Sequence, residues 1–345
     1  MPQLLALCLL IAWAPLASAQ EAGGAAPDTS RAVIDSVYAA IHAEWLYRNE
    51  VDWDSLDAAF QAEVDAAATF DEALGAFRGV FGAAGDVHSA IYYAGRGIAY
   101  RPLATEPPTR AVSALIMLSR EQANRPEGRP LADGTAYIRV PAYGVQGDSA
   151  ISAAASELRE LVCDLVPGTY GGWILDLRVN EGGNIHPMLS GLGDLLGDGP
   201  VFRTVLASGE TQFAWSISGG VLSIDGYSAA TVERRCPEAA RGRIAVLIGP
   251  ATLSSGQITA VAFAGWDRAR LFGDPTAEGY ATSNRYMPIT PALALNLSTA
   301  YFEDRSGHVH PGTVLPDEAV PGAWVLDAPE ADPVVQRALA WLGGE

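Results

Sequence analysis

Two consecutive serines, Ser254 and Ser255, stand at a predicted strand-to-helix junction. The unbroken apolar run 244–249 before them predicts a buried strand, and apolar residues follow them at helical spacing. Such a turn can expose a hydroxyl, and the free N–H groups at a helix start favour nearby negative charge. The junction therefore favours a serine nucleophile, and the alternative is an ordinary serine N-cap.

A nucleophilic serine needs a base, and the composition narrows the choice. All 22 basic residues are arginine, so no lysine can take this role, and five histidines and the carboxylates remain. His88 stands in Gly85-Asp-Val-His-Ser89, between a glycine turn and a β-prone segment. Because histidine has the free pKa best suited to proton transfer near neutrality, His88 is the candidate base. The alternative is a turn histidine that bonds the backbone.

A glycine pair is the candidate for the second half of an oxyanion hole. The run Asn180-Glu-Gly-Gly-Asn184 follows an apolar strand pattern at 173–178 and precedes a helical pattern. Free N–H groups at such a turn suit an oxyanion or a phosphate. The lysine and glycine spacing of phosphate-binding loops is missing, which favours the oxyanion.

Four segments in this order resemble the tail-specific or C-terminal processing serine peptidases, in the branch that includes the tricorn core and retinoid-binding proteins. They are 85–89, 174–183, 252–257 and 273–276, and Val-Leu-Pro-Asp at 314–317 is similar to a late motif of that family. The resemblance covers roughly residues 70–320 and implies a ClpP/crotonase-like α/β core. It implies Ser254 as nucleophile, Ser255 and either Gly182 or Gly183 as oxyanion donors, and His88 as base.

The sequence departs from this family at four positions. The lysine base of another branch would fall near Gly279, Val87 replaces a serine before His88, Gln257 replaces the commoner glutamate, and the late acid of the relay is displaced. The nearest carboxylates are Glu303 and Asp304, and either is a candidate to orient His88. No peptide-tethering PDZ domain is visible in the sequence.

The beginning of the chain predicts an extracytoplasmic protein. Residues 1–19 resemble a signal peptide, with an apolar core followed by Ala17-Ser-Ala before a cleavage site near Ala19. The net charge of −18 argues against nucleic acid and anionic membranes as partners, and no later apolar run is long enough to span a bilayer. In an oxidising compartment Cys163 and Cys236 are expected to form a disulfide, or else to be separate buried thiols.

The predicted organisation is α/β: a small N-terminal helical subdomain at 20–105, which ends in the His88 segment, and a peptidase core at 106–345. Residues 98–132 are interpreted as a connection, and β-hairpins are expected at 213–224 and 292–302. We expect a secreted or periplasmic serine peptidase that acts on peptides or unfolded proteins, with no cofactor or metal. The alternatives are a homologue that binds peptides or apolar ligands, and a Ser–His hydrolase of non-peptide acyl compounds.

Overall fold

The computed structural model describes residues 27–100, 113, 117, 125–166, 171–321, 325 and 328–345. The predicted signal peptide and most of the predicted connection lie outside these ranges. None of the helices in the described ranges is both long enough and apolar enough to cross a bilayer.

Four helices form the N-terminal region: α1 (Pro27–Glu44), α2 (Trp53–Ala66), α3 (Phe70–Gly75) and α4 (Phe77–Ala83). Thr69 caps α3, because its hydroxyl accepts from the Glu72 N–H and Glu72 accepts from the Ala68 N–H. The apolar faces of the helices pack around Trp45 and Phe77, together with leucines 293, 295 and 297 from far along the chain. The helical region therefore shares its hydrophobic core with a late strand.

A central sheet has the strand order β14-β10-β9-β5-β4-β3, and only the edge strand β3 is antiparallel. Its strands are β3 (Glu127–Pro130), β4 (Ala136–Arg139), β5 (Trp173–Asp176), β9 (Ile244–Ile248), β10 (Ala269–Gly273) and β14 (Glu318–Ala319). Because β5 and β9 are parallel neighbours, their carboxyl ends meet at one edge. This pairing brings the glycine pair after β5 close to the serines after β9.

Helices cover both faces of the central sheet. They are α5 (Asp148–Leu165), α6 (Ile185–Gly191), α7 (Gly193–Leu196), α8 (Ser255–Val261) and α9 (Pro333–Leu342). Val246 and Ile248 of β9 pack with the residues of α5, α6 and α8, whereas Ala245 and Leu247 pack with those of α9. The alternation makes β9 apolar on both sides, as its continuous apolar sequence predicts.

A second sheet has the order β2-β1-β12-β6-β7-β8, and β11 and β13 also pair with β12. Its strands are β1 (Ala90–Tyr93), β2 (Arg96–Tyr100), β6 (Gly199–Val205), β7 (Thr211–Ser218), β8 (Val221–Ile224), β11 (Thr282–Pro288), β12 (Leu293–Glu303) and β13 (Val309–His310). The predicted hairpin of β7 and β8 is present.

The second predicted hairpin is wrong, because residues 293–303 form one strand of 11 residues, β12. A hairpin within 292–302 would need a turn near Ser298 and Thr299, but both residues are buried and stay in the strand, and Ser298 pairs with Asn284 of β11. β12 also pairs with β1 and β6. These partners hold the polar residues in an extended conformation and join the N-terminal region to the core.

Cys163 at the end of α5 and Cys236 after β8 form a disulfide, with their Cα atoms 5.4 Å apart. The Cys236 N–H also donates to Asp194 Oδ2 at 2.6 Å, and the buried guanidinium of Arg159 donates to the same oxygen at 2.9 Å. The crosslink therefore fastens the segment after β8 onto α5.

Candidate active site

Ser254 occupies a strained turn between β9 and α8. Its φ of 49° and ψ of −122° are rare for a residue with a side chain. The Ser254 N–H donates to Gln257 Oε1 at 3.1 Å, and the Thr252 hydroxyl donates to the Leu177 carbonyl at 2.9 Å. These bonds hold the turn in place, and the Ser254 hydroxyl lies 3.0 Å from Nε2 of His88.

His88 is held by its backbone in the loop between α4 and β1. The carboxylate of Asp86 accepts from the His88 N–H at 2.9 Å and from the Trp45 indole at 2.8 Å. The side-chain amides of Asn284 and Asn296 donate to the His88 carbonyl at 3.1 and 2.9 Å. The N-terminal helices and the second sheet thus fix the histidine, while the central sheet fixes the serine.

Thr282, the first residue of β11, holds the other ring nitrogen of His88. Its Oγ1 lies 2.8 Å from His88 Nδ1 and 2.9 Å from Oδ1 of Asn284. Because the amide oxygen can only accept, the threonine hydroxyl donates to Asn284 and accepts from the Nδ1–H of His88. This arrangement leaves Nε2 unprotonated and facing Ser254. The sequence reasoning missed Thr282, since no local pattern marks it.

The structure brings neither Glu303 nor Asp304 to His88, which corrects the expectation that one of them orients it. Glu303 accepts from Arg203 Nε at 2.7 Å, and Asp304 Oδ2 lies 2.9 Å from Nε2 of His310. Ser298 of β12 lies beside Thr282, the residue that contacts His88, and Glu303 is five residues further along the same strand. At about 3.3 Å per residue, Glu303 is therefore roughly 16 Å from Ser298 along the strand.

The glycine pair lies directly against the serine turn. Gly182 and Gly183 have φ values of 95° and 97°, and a Cβ on Gly182 would come within 2.8 Å of the Ser254 Cβ. The Gly182 N–H donates to Asn180 Oδ1 at 2.9 Å. Within the described part of the chain, the N–H groups of Gly183 and Ser255 have no such acceptor. Of the two glycines, Gly183 therefore has the available donor.

Both members of the pair are shielded from water, since Ser254 is 1% exposed and His88 is 4% exposed. Burial lowers the pKa of His88 to about 4, and the charge of Asp86 opposes that shift only in part. The imidazole is therefore neutral at pH 7 and able to accept a proton. A cavity of about 890 Å³ is lined by Val87, the residue before His88, and by Gly279, but by neither Ser254 nor His88.

Gln257 connects the serine turn to the segment 273–276. While its Oε1 accepts from Ser254, its Nε2 donates to Thr276 Oγ1 and to the Ala277 carbonyl, each at 2.6 Å. A glutamate at this position could not make both donations when ionised. The amide therefore matches its surroundings.

Gly279 stands near the position where the lysine-dependent branch of the processing peptidases has its base, and it has no space for a side chain. Its φ is 82°, and a Cβ would overlap Cγ2 of Val87. The backbone and the packing therefore both disfavour a lysine at this position.

In the described residues, a single group brings three potential metal-ligand atoms together: Cys163, Asp194 and Cys236. Its two sulfurs are already bonded to each other. His308 and His310 are not part of that group. His308 packs edge-on against His310, and the His310 ring is hydrogen-bonded to Asp304.

The model of peptidase family S41 matches residues 134–320, which contain Ser254 and the glycine pair but not His88. The nisin-resistance protein of Lactococcus lactis subsp. lactis is 30% identical over 186 residues. That match covers 51% of this chain and 57% of the relative, so it spans less than two thirds of that protein.

Two solved structures have a similar fold. A lipoprotein from Streptococcus agalactiae superposes with a TM-score of 0.66 at 20% identity, over 95% of this chain and 99% of the other. The photosystem II D1 C-terminal processing protease superposes with a TM-score of 0.56 at 13% identity, over 85% and 93% of the two chains. At these identities the likeness concerns the fold.

Proposed function

The chain belongs to peptidase family S41, and we propose that it is an extracytoplasmic serine peptidase that cleaves peptide bonds through an acyl-enzyme on Ser254. The observation that carries the proposal is the distance of 3.0 Å between Ser254 Oγ and His88 Nε2. Because the neutral imidazole presents its lone pair to the hydroxyl, it is placed to act as general base.

In the first step His88 Nε2 takes the Ser254 proton as Oγ attacks the substrate carbonyl carbon. The carbonyl π-bond pair moves to oxygen, and the N–H groups of Ser255 and Gly183 stabilise this oxyanion. When the tetrahedral intermediate collapses, the C–N bond breaks and His88 protonates the leaving amine. Water, activated by the same histidine, then attacks the acyl carbon and releases Ser254.

While each tetrahedral intermediate exists, His88 carries a positive charge that no carboxylate contacts directly. Thr282 accepts from its Nδ1–H at 2.8 Å, and the nearby Ser298 hydroxyl donates to Asp86 Oδ1 at 3.3 Å. Because the Thr282 proton is given to Asn284, no continuous chain of hydrogen bonds joins Asp86 to His88, and the charge of Asp86 acts on the imidazolium through space. This is weaker support than a direct carboxylate, and it favours the alternative of a homologue that binds peptides or apolar ligands without cutting them.

A fluorophosphonate probe distinguishes these functions. We expect the wild-type protein to be labelled, Ser255→Ala to be labelled as well because the substitution keeps the backbone N–H that serves the oxyanion, and Ser254→Ala not to be labelled. Loss of the nucleophile typically costs about 10⁶ in rate. Labelling that persists in Ser254→Ala refutes the assignment of the nucleophile. A wild-type protein that stays unlabelled but binds peptides supports the binding function.

If the wild-type protein is labelled, a sample that has not been treated with the probe is then assayed for its substrate class. Unrelated peptides, unfolded proteins and a p-nitrophenyl ester separate peptide cleavage from hydrolysis of non-peptide acyl compounds. Nisin belongs in the panel because one relative is named a nisin-resistance protein. Ester hydrolysis without cleavage of any peptide would contradict the peptidase proposal and support the third function.

We place the active protein outside the cytoplasm. The support is the signal-like pattern of residues 1–19, the disulfide, and a structural neighbour described as a lipoprotein. N-terminal sequencing of protein purified from the periplasm or culture fluid should begin at Gln20. An intact N-terminus on protein confined to the cytoplasm would contradict this location.

A further inference from the structure

One face of the second sheet, beside His88, carries two tyrosines around a small residue. Tyr92 of β1 lies opposite Ala294 of β12, and Tyr286 of β11 lies opposite Asn296. Opposed residues point to the same face, as do residues two apart on a strand, so Tyr92, Tyr286 and Ala294 share one face with Asn296. Because Asn296 donates to the His88 carbonyl, this face borders the Ser254–His88 pair.

A third tyrosine, Tyr280, extends this surface to the catalytic histidine. Its ring packs edge-on against His88 with the centroids 5.0 Å apart. Tyr92 contributes to raising the pKa of Tyr280, and Tyr286 contributes to raising the pKa of Tyr92, with burial the larger cause in each case. These mutual effects indicate that the three phenols, which we call the tyrosine subsite, lie near one another.

The hydroxyls of the tyrosine subsite are available to a ligand. All three side chains are half-buried, and none of the three hydroxyls has a hydrogen-bond partner elsewhere in the described structure. None of the three oxygens is buried, so each can be reached by a polar group of a bound ligand.

Charge indicates which polar group fits. Arg96 and Arg285, the arginines of the described neighbouring strands, pair with Asp71 and Glu44 at the N-terminal helices. They lie in register with Tyr93 and Leu297, which face the helical core, so they point away from the tyrosine subsite. The chain as a whole carries a charge of −18. The subsite thus offers aromatic faces and unpaired phenol oxygens without a described competing cation.

We propose that the tyrosine subsite binds the cationic side chain of a lysine or arginine near the scissile bond of a peptide substrate. Aromatic faces attract cations, and phenol oxygens accept from ammonium or guanidinium groups. The inference rests on the proposed function in one respect, that peptides are the ligands.

The test measures binding separately from cleavage. Fluorescence anisotropy of Ser254→Ala, with folding checked by circular dichroism, compares labelled peptides that differ at one position, scanned along the peptide. Arginine is compared with citrulline, a neutral analogue of the same shape, and with leucine. We expect the arginine peptide to bind about five- to tenfold more tightly than the citrulline peptide at one position.

The variants Tyr92→Leu and Tyr286→Leu, each in the Ser254→Ala protein, should bring the arginine-to-citrulline affinity ratio close to one. Tyr93→Leu is the matched control, because Tyr93 is the next residue of β1 and packs against Phe70 on the opposite face. It should keep the ratio. No variant changes the net charge, so general attraction of cationic peptides to an acidic protein cannot explain a difference between them.

Equal affinities for arginine and citrulline at every position, tighter binding of leucine, or no binding of any peptide would overturn the proposal. Cleavage of the same peptides by wild-type protein separates its failure from that of the proposed function. Cleavage without preference for arginine leaves the peptidase proposal standing and removes the subsite. A preference for arginine over citrulline in binding, without cleavage of any peptide, supports the subsite and contradicts the peptidase proposal.

Discussion

Replacing Thr282 with valine tests whether a neutral hydroxyl can do the work of an orienting acid. Valine has nearly the shape of threonine, and the site is fully buried, so the change removes the hydroxyl with little change in packing. Nδ1–H of His88 then loses its acceptor at 2.8 Å. Hydrogen bonds to charged groups contribute about 1.5–3 kcal/mol, and the imidazolium of the transition state needs this bond most.

At about 1.4 kcal/mol per factor of ten, the expected loss is roughly ten- to hundredfold in the rate of acylation at Ser254. The ring can also turn or change tautomer once Nδ1 is free, which would add to the loss. The assay is the second-order rate of fluorophosphonate labelling, measured beside the thermal unfolding midpoint. Thr282→Ser keeps the hydroxyl and should recover most of the rate.

Thr204→Val is the matched control, since Thr204 is a buried threonine of β6 whose hydroxyl accepts from the Phe213 N–H. It should lower stability without slowing the labelling of the folded protein. A Thr282→Val protein that labels at the wild-type rate would refute the role of Thr282. A Thr282→Ser protein as slow as Thr282→Val would show that the hydroxyl alone does not restore the rate, which also contradicts the role assigned to it.

Three further outcomes follow from the site and its supports. Because burial lowers the pKa of His88 to about 4 and its neutral form is the base, kcat/KM should stay level from pH 8 to 6 and fall only as pH drops through about 4; a midpoint near 6.5 would contradict this. Gln257→Glu should lower the unfolding midpoint and slow labelling, because it buries a charge and removes two donations, whereas the exposed Gln336→Glu should change neither by much. Replacing Cys163 and Cys236 by serine should lower the free energy of unfolding in urea by about 2–4 kcal/mol while labelling of the folded protein continues; equal stability would show that the crosslink is dispensable.

The sequence by itself determined the parts of the site that depend on neighbouring residues. An apolar run followed by helical spacing put Ser254 at a strand-to-helix junction, where the structure has β9 and α8. The pattern around Gly182 and Gly183 likewise predicted a turn, and both glycines have the positive φ that such turns require. Composition alone removed lysine from the possible bases. Local propensity and apolar periodicity are properties of contiguous segments, so they can be recognised without a partner.

Only the tertiary structure decided which distant groups meet. Thr282 reaches His88 because β11 and β1 both pair with β12, across 194 positions of sequence separation. The same pairing keeps residues 293–303 in one strand and carries Glu303 and Asp304 away from the histidine. The Asn180 side chain, which occupies the Gly182 N–H, leaves Gly183 as the available donor. Strand register is set by which faces are buried against other elements, and this depends on the whole fold rather than on any one segment.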